Sequence, residues 1–364
     1  MDVIELCSKL IKAQSVTPKD EGLLDFISEF LNDFTAVRID DQDVKNLFLY
    51  KEFGDGVHLN FAGHVDVVPA GEGWSGEAFS GEIKDGYLHG RGAQDMKGGV
   101  SAFVMALKEA ENFNGTLSLM LTSDEEGDAK FGTVSILKYL KDNDLIPDYC
   151  VVAEPTCEKR FGDAIKIGRR GSINGYLTIN GRQGHAAYPQ KAINPVNILA
   201  SRLDSLAGHK LDNGDDAFAP SEIVITDIRG GLEVTNVTPG SVKIMFNVRN
   251  STKTDATSLE IYINTLFAGV DFTLELKQSA FPFVTNKSSL VVKNLEESII
   301  DTLGESTKHS TAGGTSDARY IAPYGIDVVE FGVINDTIHA PNEKVSLGEL
   351  VSLHSIFTQL IKKF

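Results

Sequence analysis

The hydrophobic positions along the chain predict buried strands that alternate with amphipathic helices. Apolar residues at helical spacing predict helices over 3–13, roughly 23–34, 97–110, 132–143, 288–303 and 347–363. Nearly continuous apolar runs predict strands over 57–68, 115–123, 148–154 and 327–333. This alternation predicts an α/β fold in which a mixed, mostly parallel sheet is sandwiched by helices.

The middle of the chain has a different order of predicted strands and helices. Strands are expected over 172–180, 221–228, 241–250 and 270–278, and helices over 194–206 and 255–267. This βαββαβ order is typical of a small two-layer α+β domain. Because a chain of 364 residues exceeds the usual size of a domain with a single hydrophobic core, we predict two domains. Residues 1–170 and 281–364 would form the first, and residues 171–280 an inserted domain.

The formal net charge of −17 argues against nucleic acid or an anionic membrane surface as a partner. It still permits a small anionic substrate, because a few arginines clustered in a cleft can make the local potential positive although the protein as a whole is negative. The three cysteines show no metal-like spacing, and their odd number argues against a disulfide framework. No apolar run approaches a membrane span, and the acidic N-terminus does not resemble a signal peptide. A cytoplasmic protein is therefore expected.

Candidate metal ligands follow several of the predicted strands. They are His64 with Asp66 in "FAGHVDVVP", Asp95 in the glycine-rich "GRGAQDMKGG", Glu125 and Glu126 in "LTSDEEGD", Glu154 in "CVVAEPT" and His339 in "FGVINDTIHAPNE". In open α/β sheets, ligands bind beyond the carboxyl ends of the strands. Because zinc binds imidazole nitrogen and carboxylate oxygen readily, these segments predict a hydrolytic metal site.

A zinc site needs about three protein contacts for each ion. His64, Asp95 and Glu154 could hold one ion, and Asp95, Glu126 and His339 could hold the other, with Asp95 as the bridge. Glu125 then remains as a general base for a water held between the ions. Asp66 lies two residues beyond His64 on the same side of the strand, where it could orient the imidazole.

Each signal alone has a simpler explanation. His64 could be an ordinary buried strand histidine, and Asp95 could cap the following helix. The acidic run 124–126 could be a solvated turn, and His339 a surface residue. The conjunction of five segments at one edge of one sheet favours the metal site.

Five segments resemble the signatures of the aminoacylase and carboxypeptidase G type of di-zinc amidohydrolases. They are "GHVDVVP", "GRGAQDMKGG", "SDEEG", "EPT" and "TIHAPNE", and the resemblance runs nearly end to end. It implies the ligand roles given above, with Glu125 as base and later proton donor. It also implies two zinc ions per subunit, for which cobalt or manganese could substitute, and a cis peptide between Asp95 and Met96.

Three further segments narrow the resemblance within this family, namely "IGRRGSINGYLTINGRQGHAAYP", "TAGGTSDARY" and "FGVINDTIHAPNE". They are most similar to those of members that hydrolyse N-succinyl-LL-2,6-diaminopimelate to succinate and LL-2,6-diaminopimelate in lysine and diaminopimelate biosynthesis. That substrate carries three carboxylates. The residues that match the family's substrate contacts are Arg169, Arg249, Gly314, Thr315 and Asn335.

The resemblance also implies a homodimer built through the inserted domain. His185 would then reach the partner's active site and help to stabilise the tetrahedral oxyanion, and Asn236 and Tyr188 would also come from the neighbouring subunit. Two alternatives remain for the function as a whole. The chain could be a related N-acyl-amino-acid deacylase, such as an acetylornithine deacetylase, or a dipeptidase on the same scaffold. It could also be a metal-binding homologue without catalytic activity.

Overall fold

An eight-stranded sheet organises most of the chain in the computed structural model, which describes residues 1–364. The ten α-helices are α1 (Val3–Lys12), α2 (Leu23–Phe30), α3 (Gly98–Lys108), α4 (Thr133–Asp142), α5 (Pro195–Ala200), α6 (Leu203–Leu206), α7 (Ala256–Leu266), α8 (Leu290–Leu303), α9 (Ala318–Ile321) and α10 (Leu347–Lys363). None of them is both long and apolar enough to cross a membrane.

The strands range from two to nine residues. They are β1 (Thr35–Arg38), β2 (Asn46–Glu52), β3 (Val57–His64), β4 (Glu82–Lys84), β5 (Tyr87–His89), β6 (Gly115–Thr122), β7 (Tyr149–Val152), β8 (Ala164–Lys166), β9 (Gly168–Arg169), β10 (Ser172–Asn180), β11 (Gly184–His185), β12 (Ile223–Gly230), β13 (Val237–Thr238), β14 (Ser241–Val248), β15 (Phe272–Ala280), β16 (Phe283–Val284), β17 (Lys308–Ser310), β18 (Asp327–Glu330) and β19 (Lys344–Ser346).

The chain divides into two compact units. The first comprises Met1–Gly168, Thr285–Ser310 and Ser316–Phe364, and the second comprises Arg169–Val284 and Thr311–Thr315. The large sheet lies in the first unit, with strand order β1-β2-β6-β3-β7-β18-β8-β17. Its central strands β6, β3, β7 and β18 are mutually parallel, whereas β1 and β2 are antiparallel additions. The predicted fold class, a mixed and mostly parallel α/β sheet, is confirmed.

Burial explains where these elements differ from the predicted ones. Helix α2 ends at Phe30, although Leu31 and Phe34 are buried beyond it and continue the helical spacing. Strand β3 ends at His64, and the buried Val65 and Val67 extend its apolar run without extending the strand. The apolar pattern also failed to predict β1 and β2.

The second unit is a four-stranded antiparallel sheet with strand order β12-β14-β10-β15. Its elements follow the expected βαββαβ order, with the first helix broken into α5 and α6. Alternate residues of β14, among them Ile244 and Phe246, are buried in a core that also contains Leu259 and Ile263 of α7. A side chain at Gly175 on β10 would overlap the ring of Phe246, so the glycine permits this packing.

Candidate metal centre

Neighbouring parallel strands end together at the edge of the large sheet, where the acidic and histidine side chains collect. His64 is the last residue of β3, Glu125 and Glu126 follow β6, and Glu154 follows β7. Strand β18, next to β7, leads into the loop that carries His339. The order of strands thus brings together residues that are far apart in the chain.

Asp95 enters this group from an irregular turn over Ala93–Lys97, just before α3. The peptide between Asp95 and Met96 is cis, as the resemblance implied. Asp95 points one carboxylate oxygen, Oδ1, at His64 Nε2 and the other, Oδ2, at His339 Nε2, each at 3.3 Å. One carboxylate therefore faces two imidazole rings, which is the arrangement that a bridging ligand requires.

The remaining carboxylates lie on either side of Asp95. Glu154 Oε1 lies 3.8 Å from His64 Nε2, and Glu126 Oε1 lies 2.9 Å from His339 Nε2. Ligand atoms of His64, Glu125 and Glu154 all fall within 4.8 Å of one another, and so do those of His64, Asp95 and Glu126. Imidazole and carboxylate donors at this spacing suit zinc and similar divalent cations.

Electrostatics also favour a cation in this cluster. Burial, together with the nearby charge of Asp95, raises the pKa of Glu154 well above its ordinary range. Burial likewise raises the pKa of Glu125, where the charges of Asp317 and Asp95 add to the effect. Carboxylates crowded in this way repel one another unless a positive charge lies between them. The donor set therefore fits a metal centre.

The pKa values of the two histidines are also raised, which for an imidazole favours the charged form. Burial acts to lower the pKa of His64, but its hydrogen bond with Asp95 and the charge of Asp66 raise it well above the ordinary value. Hydrogen bonds with Asp95 and Glu126 raise the pKa of His339 to about 10. Burial alone would raise the pKa of Asp95, whereas the hydrogen bonds from both histidines lower it. Protons and metal ions thus compete for the same atoms.

Asp66 contacts His64 with its backbone as well as its side chain. His64 Nδ1 donates to the backbone carbonyl of Asp66 at 2.9 Å, and the carboxylate lies 3.6 Å from the same nitrogen. This bond leaves the other nitrogen, Nε2, directed at the cluster. The Asp66 carboxylate also accepts hydrogen bonds from the backbone N–H groups of Glu125 at 3.4 Å and Glu126 at 3.1 Å. Asp66 thus positions three candidate functional residues.

The sequence pattern does not single out Arg91 and Glu343, which form a buried ion pair of 2.7 Å between the segments that carry Asp95 and His339. Both residues lie inside segments already chosen for their ligands, Arg91 in "GRGAQD" and Glu343 in "IHAPNE". The signal that could have identified them is the presence of opposite charges in two ligand-bearing segments.

The residues that match substrate contacts lie mostly in the second unit. Arg169 is 6% exposed, and its Nη1 donates to the carbonyls of Ala312 at 3.2 Å and Gly314 at 3.1 Å. It therefore holds the loop that carries the half-buried Thr315. Arg249 follows β14 and is exposed. Asn335 lies in the first unit, where its N–H donates to the carbonyl of Cys157 at 3.0 Å.

The three residues expected to serve a partner subunit lie together on the surface of the second unit. The N–H of Ala186 donates to the carbonyl of Asn236 at 2.9 Å, and the N–H of Tyr188 donates to the carbonyl of His185 at 2.8 Å. His185 Nδ1 accepts the N–H of Ala187 at 3.1 Å. The neutral ring of His185 therefore carries its proton on Nε2 and is a hydrogen-bond donor there.

Comparisons with known proteins agree with this architecture. Residues 60–363 match the model of peptidase family M20/M25/M40. Succinyl-diaminopimelate desuccinylase of Aliarcobacter butzleri is 58% identical over 366 residues, covering 100% of both chains. The protein of that name from Sulfurimonas denitrificans is 57% identical over 361 residues, covering 99% of each. An M20 family metallo-carboxypeptidase from Sulfolobus solfataricus shares the fold, with a TM-score of 0.78, 17% identity, and coverage of 100% of this chain and 99% of that one.

Proposed function

The chain belongs to peptidase family M20/M25/M40, and from this premise we propose that it hydrolyses N-succinyl-LL-2,6-diaminopimelate to succinate and LL-2,6-diaminopimelate. This reaction would serve lysine and diaminopimelate biosynthesis. The observation that carries the choice of substrate is the 57–58% identity, over essentially the whole chain, to two proteins named succinyl-diaminopimelate desuccinylase. The histidine and carboxylate donors around Asp95 support metal-dependent hydrolysis as the reaction type. The three free, buried cysteines suit a cytoplasmic location.

We assign two zinc ions to each subunit, with cobalt or manganese as possible substitutes. His64 and Glu154 would hold one ion, Glu126 and His339 the other, and Asp95 would bridge them. The contacts of Asp95 with both histidines support this division. When bound, the ions would polarise the amide carbonyl and lower the pKa of water.

Glu125 is the proposed general base. It would take a proton from the water whose oxygen bonds to the amide carbon, and would return that proton to the amine nitrogen as the C–N bond breaks. Burial, together with the charges of Asp317 and Asp95, raises the pKa of Glu125 above the ordinary carboxyl value, which makes it a stronger proton acceptor. His185 of a second subunit would donate its Nε2–H to the oxyanion, consistent with the bond that fixes its Nδ1.

The substrate's carboxylates would be bound by arginine and by polar groups. The exposed Arg249 is available for a bidentate contact, and Arg169 would shape the loop that carries Gly314 and Thr315. Asn335 would add a polar contact beside the metal centre. Asn236 and Tyr188 would come from the neighbouring subunit, as His185 would.

We also propose a homodimer formed through the second unit. On the outer face of its sheet, Tyr176 pairs with Met245, and these side chains are 37% and 41% exposed. Val224 on the neighbouring strand is 53% exposed. Apolar side chains grouped on a sheet face are typical of a surface that another subunit covers. Light scattering coupled to size-exclusion chromatography should give a mass near twice 39.5 kDa.

The test of the function is turnover by purified protein that has been stripped of metal and then reloaded with zinc, cobalt or manganese. N-succinyl-LL-2,6-diaminopimelate should give the highest kcat/KM in a panel that includes N-acetylornithine and a dipeptide. Activity should disappear with the metal and return with it. A higher kcat/KM for N-acetylornithine or the dipeptide would overturn the substrate assignment. Absence of turnover on every substrate with both metals bound would identify a non-catalytic homologue.

A further inference from the structure

Arg91 and Glu343 form a buried ion pair between the two loops that carry Asp95 and His339. Arg91 is 2% exposed and Glu343 is fully buried, and Arg91 Nη1 lies 2.7 Å from Glu343 Oε2. Neither residue is among the candidate ligands. Burying two charges is costly unless their remaining donors and acceptors are satisfied, so the partners around the pair indicate what it does.

Glu343 binds the backbone of the loop that contains Asp95. Its Oε1 accepts the N–H groups of Gln94 at 2.9 Å and Asp95 at 3.2 Å, and its Oε2 accepts the N–H of Gly92 at 3.0 Å. Three hydrogen bonds to one carboxylate thus fix the turn that leads into the bridging residue.

Arg91 binds the backbone of the loop that contains His339. Its Nη2 donates to the carbonyl of His339 at 3.2 Å, and its Nη1 donates to the carbonyl of Ala340 at 3.2 Å. Nη2 also donates to the carbonyl of Ala70 at 3.0 Å, in the segment after Asp66. His339 has φ +58°, a conformation that residues other than glycine adopt uncommonly. The contact with Arg91 holds the backbone at that position.

We propose that Arg91 and Glu343 are positioning residues that set the distance between Asp95 and His339, and thereby the affinity of the metal pocket formed by Asp95, Glu126 and His339. This inference rests on the proposed metal centre. His64 and Glu154 are held at the ends of β3 and β7 and have no hydrogen bond with the pair. Loss of the pair should therefore weaken the pocket containing His339 more than the pocket containing His64.

Glu343→Gln tests this with almost no change of shape. In either orientation, the amide NH₂ of glutamine faces two donors, either Gln94 and Asp95 or Gly92 and Arg91. Metal-stripped protein would be titrated with zinc, and separately with cobalt, against a competing chelator. One affinity should fall by about 10- to 100-fold, and the other by less. With one equivalent of cobalt, the visible spectrum of Glu343→Gln should match that of His339→Ala.

Arg91→Lys provides a second variant in case Glu343→Gln does not fold. Lysine keeps the charge but has a single nitrogen. It cannot replace the guanidinium, whose two terminal nitrogens bind Glu343, His339 and Ala340 at the same time. It should show the same unequal loss of affinity. Asp40→Asn is the matched control, because Asp40 also joins an arginine, Arg38, and a backbone N–H, that of Asn46, at a hairpin that carries no candidate ligand. It should leave both affinities unchanged.

Melting temperatures of the metal-free proteins separate positioning from general stability. If Glu343→Gln and Arg91→Lys bind two ions with wild-type affinities and only their melting temperatures fall, the pair is structural and the proposal is wrong. An equal loss at both pockets would also overturn it. These titrations need no substrate, so they decide the proposal whether or not the succinyl substrate is hydrolysed.

Discussion

His339 Nε2 lies 2.9 Å from Oε1 of Glu126, a residue 213 positions earlier in the chain. The same nitrogen lies 3.3 Å from Oδ2 of Asp95. These two hydrogen bonds raise the pKa of His339 to about 10, so its imidazole carries a proton at neutral pH in metal-free protein. A metal ligand must be the neutral ring, and therefore metal binding has to displace that proton.

Zinc binding to stripped protein should consequently release protons and weaken as pH falls. Each displaced proton lowers the apparent affinity by about tenfold per pH unit below the pKa of its group. Calorimetry at pH 7 in buffers of different ionisation enthalpy should give different binding heats. His339→Ala should release about one proton fewer than wild type for the same amount of metal bound. Identical heats in all buffers would contradict this prediction.

Glu125→Gln should separate catalysis from metal binding. The amide keeps the size of the side chain but cannot take a proton, so turnover should fall by at least about 10²- to 10⁴-fold. Metal content, measured by atomic emission after dialysis, should remain close to two ions per subunit. Glu126→Gln is the matched control at the next position, because it alters a proposed ligand and should lose metal. Substantial activity in Glu125→Gln would exclude Glu125 as the base.

The central part of the fold could be predicted because strands buried on both faces are apolar almost throughout. This pattern located β3, β6, β7 and β18, and their order explains why their ends meet. The same pattern does not show where the elements stop. Leu31 and Phe34 are buried for reasons of tertiary packing, and from sequence alone they resemble another turn of α2.

The candidate site could be predicted only as far as residue types reveal chemistry. A histidine or carboxylate at the end of a strand suggests a ligand, and His64 and Glu154 were identified in this way, whereas Asp95 was chosen from its glycine-rich segment. Arg91 and Glu343 were not, because a charged residue is normally expected at the surface and only the fold shows that this pair is buried. The hydrogen bond between His64 Nδ1 and the backbone carbonyl of Asp66 could not be predicted either, since the sequence does not reveal where a carbonyl points.

Gly99→Ala should destabilise the first unit and disturb Glu154. A Cβ at Gly99, near the start of α3, would lie 2.7 Å from the Cβ of Ala153, the residue before Glu154. Such overpacking typically costs about 1–3 kcal/mol of unfolding free energy. The urea midpoint should fall accordingly, and zinc affinity should fall with it.

Gly348→Ala is the control for that substitution. Gly348 is also a glycine in the first turn of a helix, α10, but its Cβ would meet only Ser346 Oγ at 3.6 Å. Alanine there should be neutral or stabilise the protein by up to about 1 kcal/mol. If the two variants had equal midpoints, close packing of α3 against Ala153 would not be the reason for Gly99.

His58 lies within a buried polar chain on β3 and β6, away from the candidate ligands. Asn60 Nδ2 donates to Ser118 Oγ at 2.7 Å, and the serine hydroxyl has its hydrogen free to donate to His58 Nε2, which lies 2.7 Å away. Only the neutral imidazole can accept that bond. Burial lowers the pKa of His58 from 6.5 to about 4, and the charge of Asp148 offsets a part of this effect.

The stability contributed by His58 should therefore be present above pH 6.5 and be lost as pH falls towards 4. In that window the unfolded chain binds a proton that the folded protein does not, and the loss is at most about 3 kcal/mol. His58→Gln has no group that titrates there, so its unfolding free energy should fall less steeply between pH 6.5 and 4. Urea unfolding of both proteins at several pH values, each stripped of metal, measures the difference. Parallel pH profiles would show that His58 becomes protonated in the folded protein as readily as in the unfolded chain.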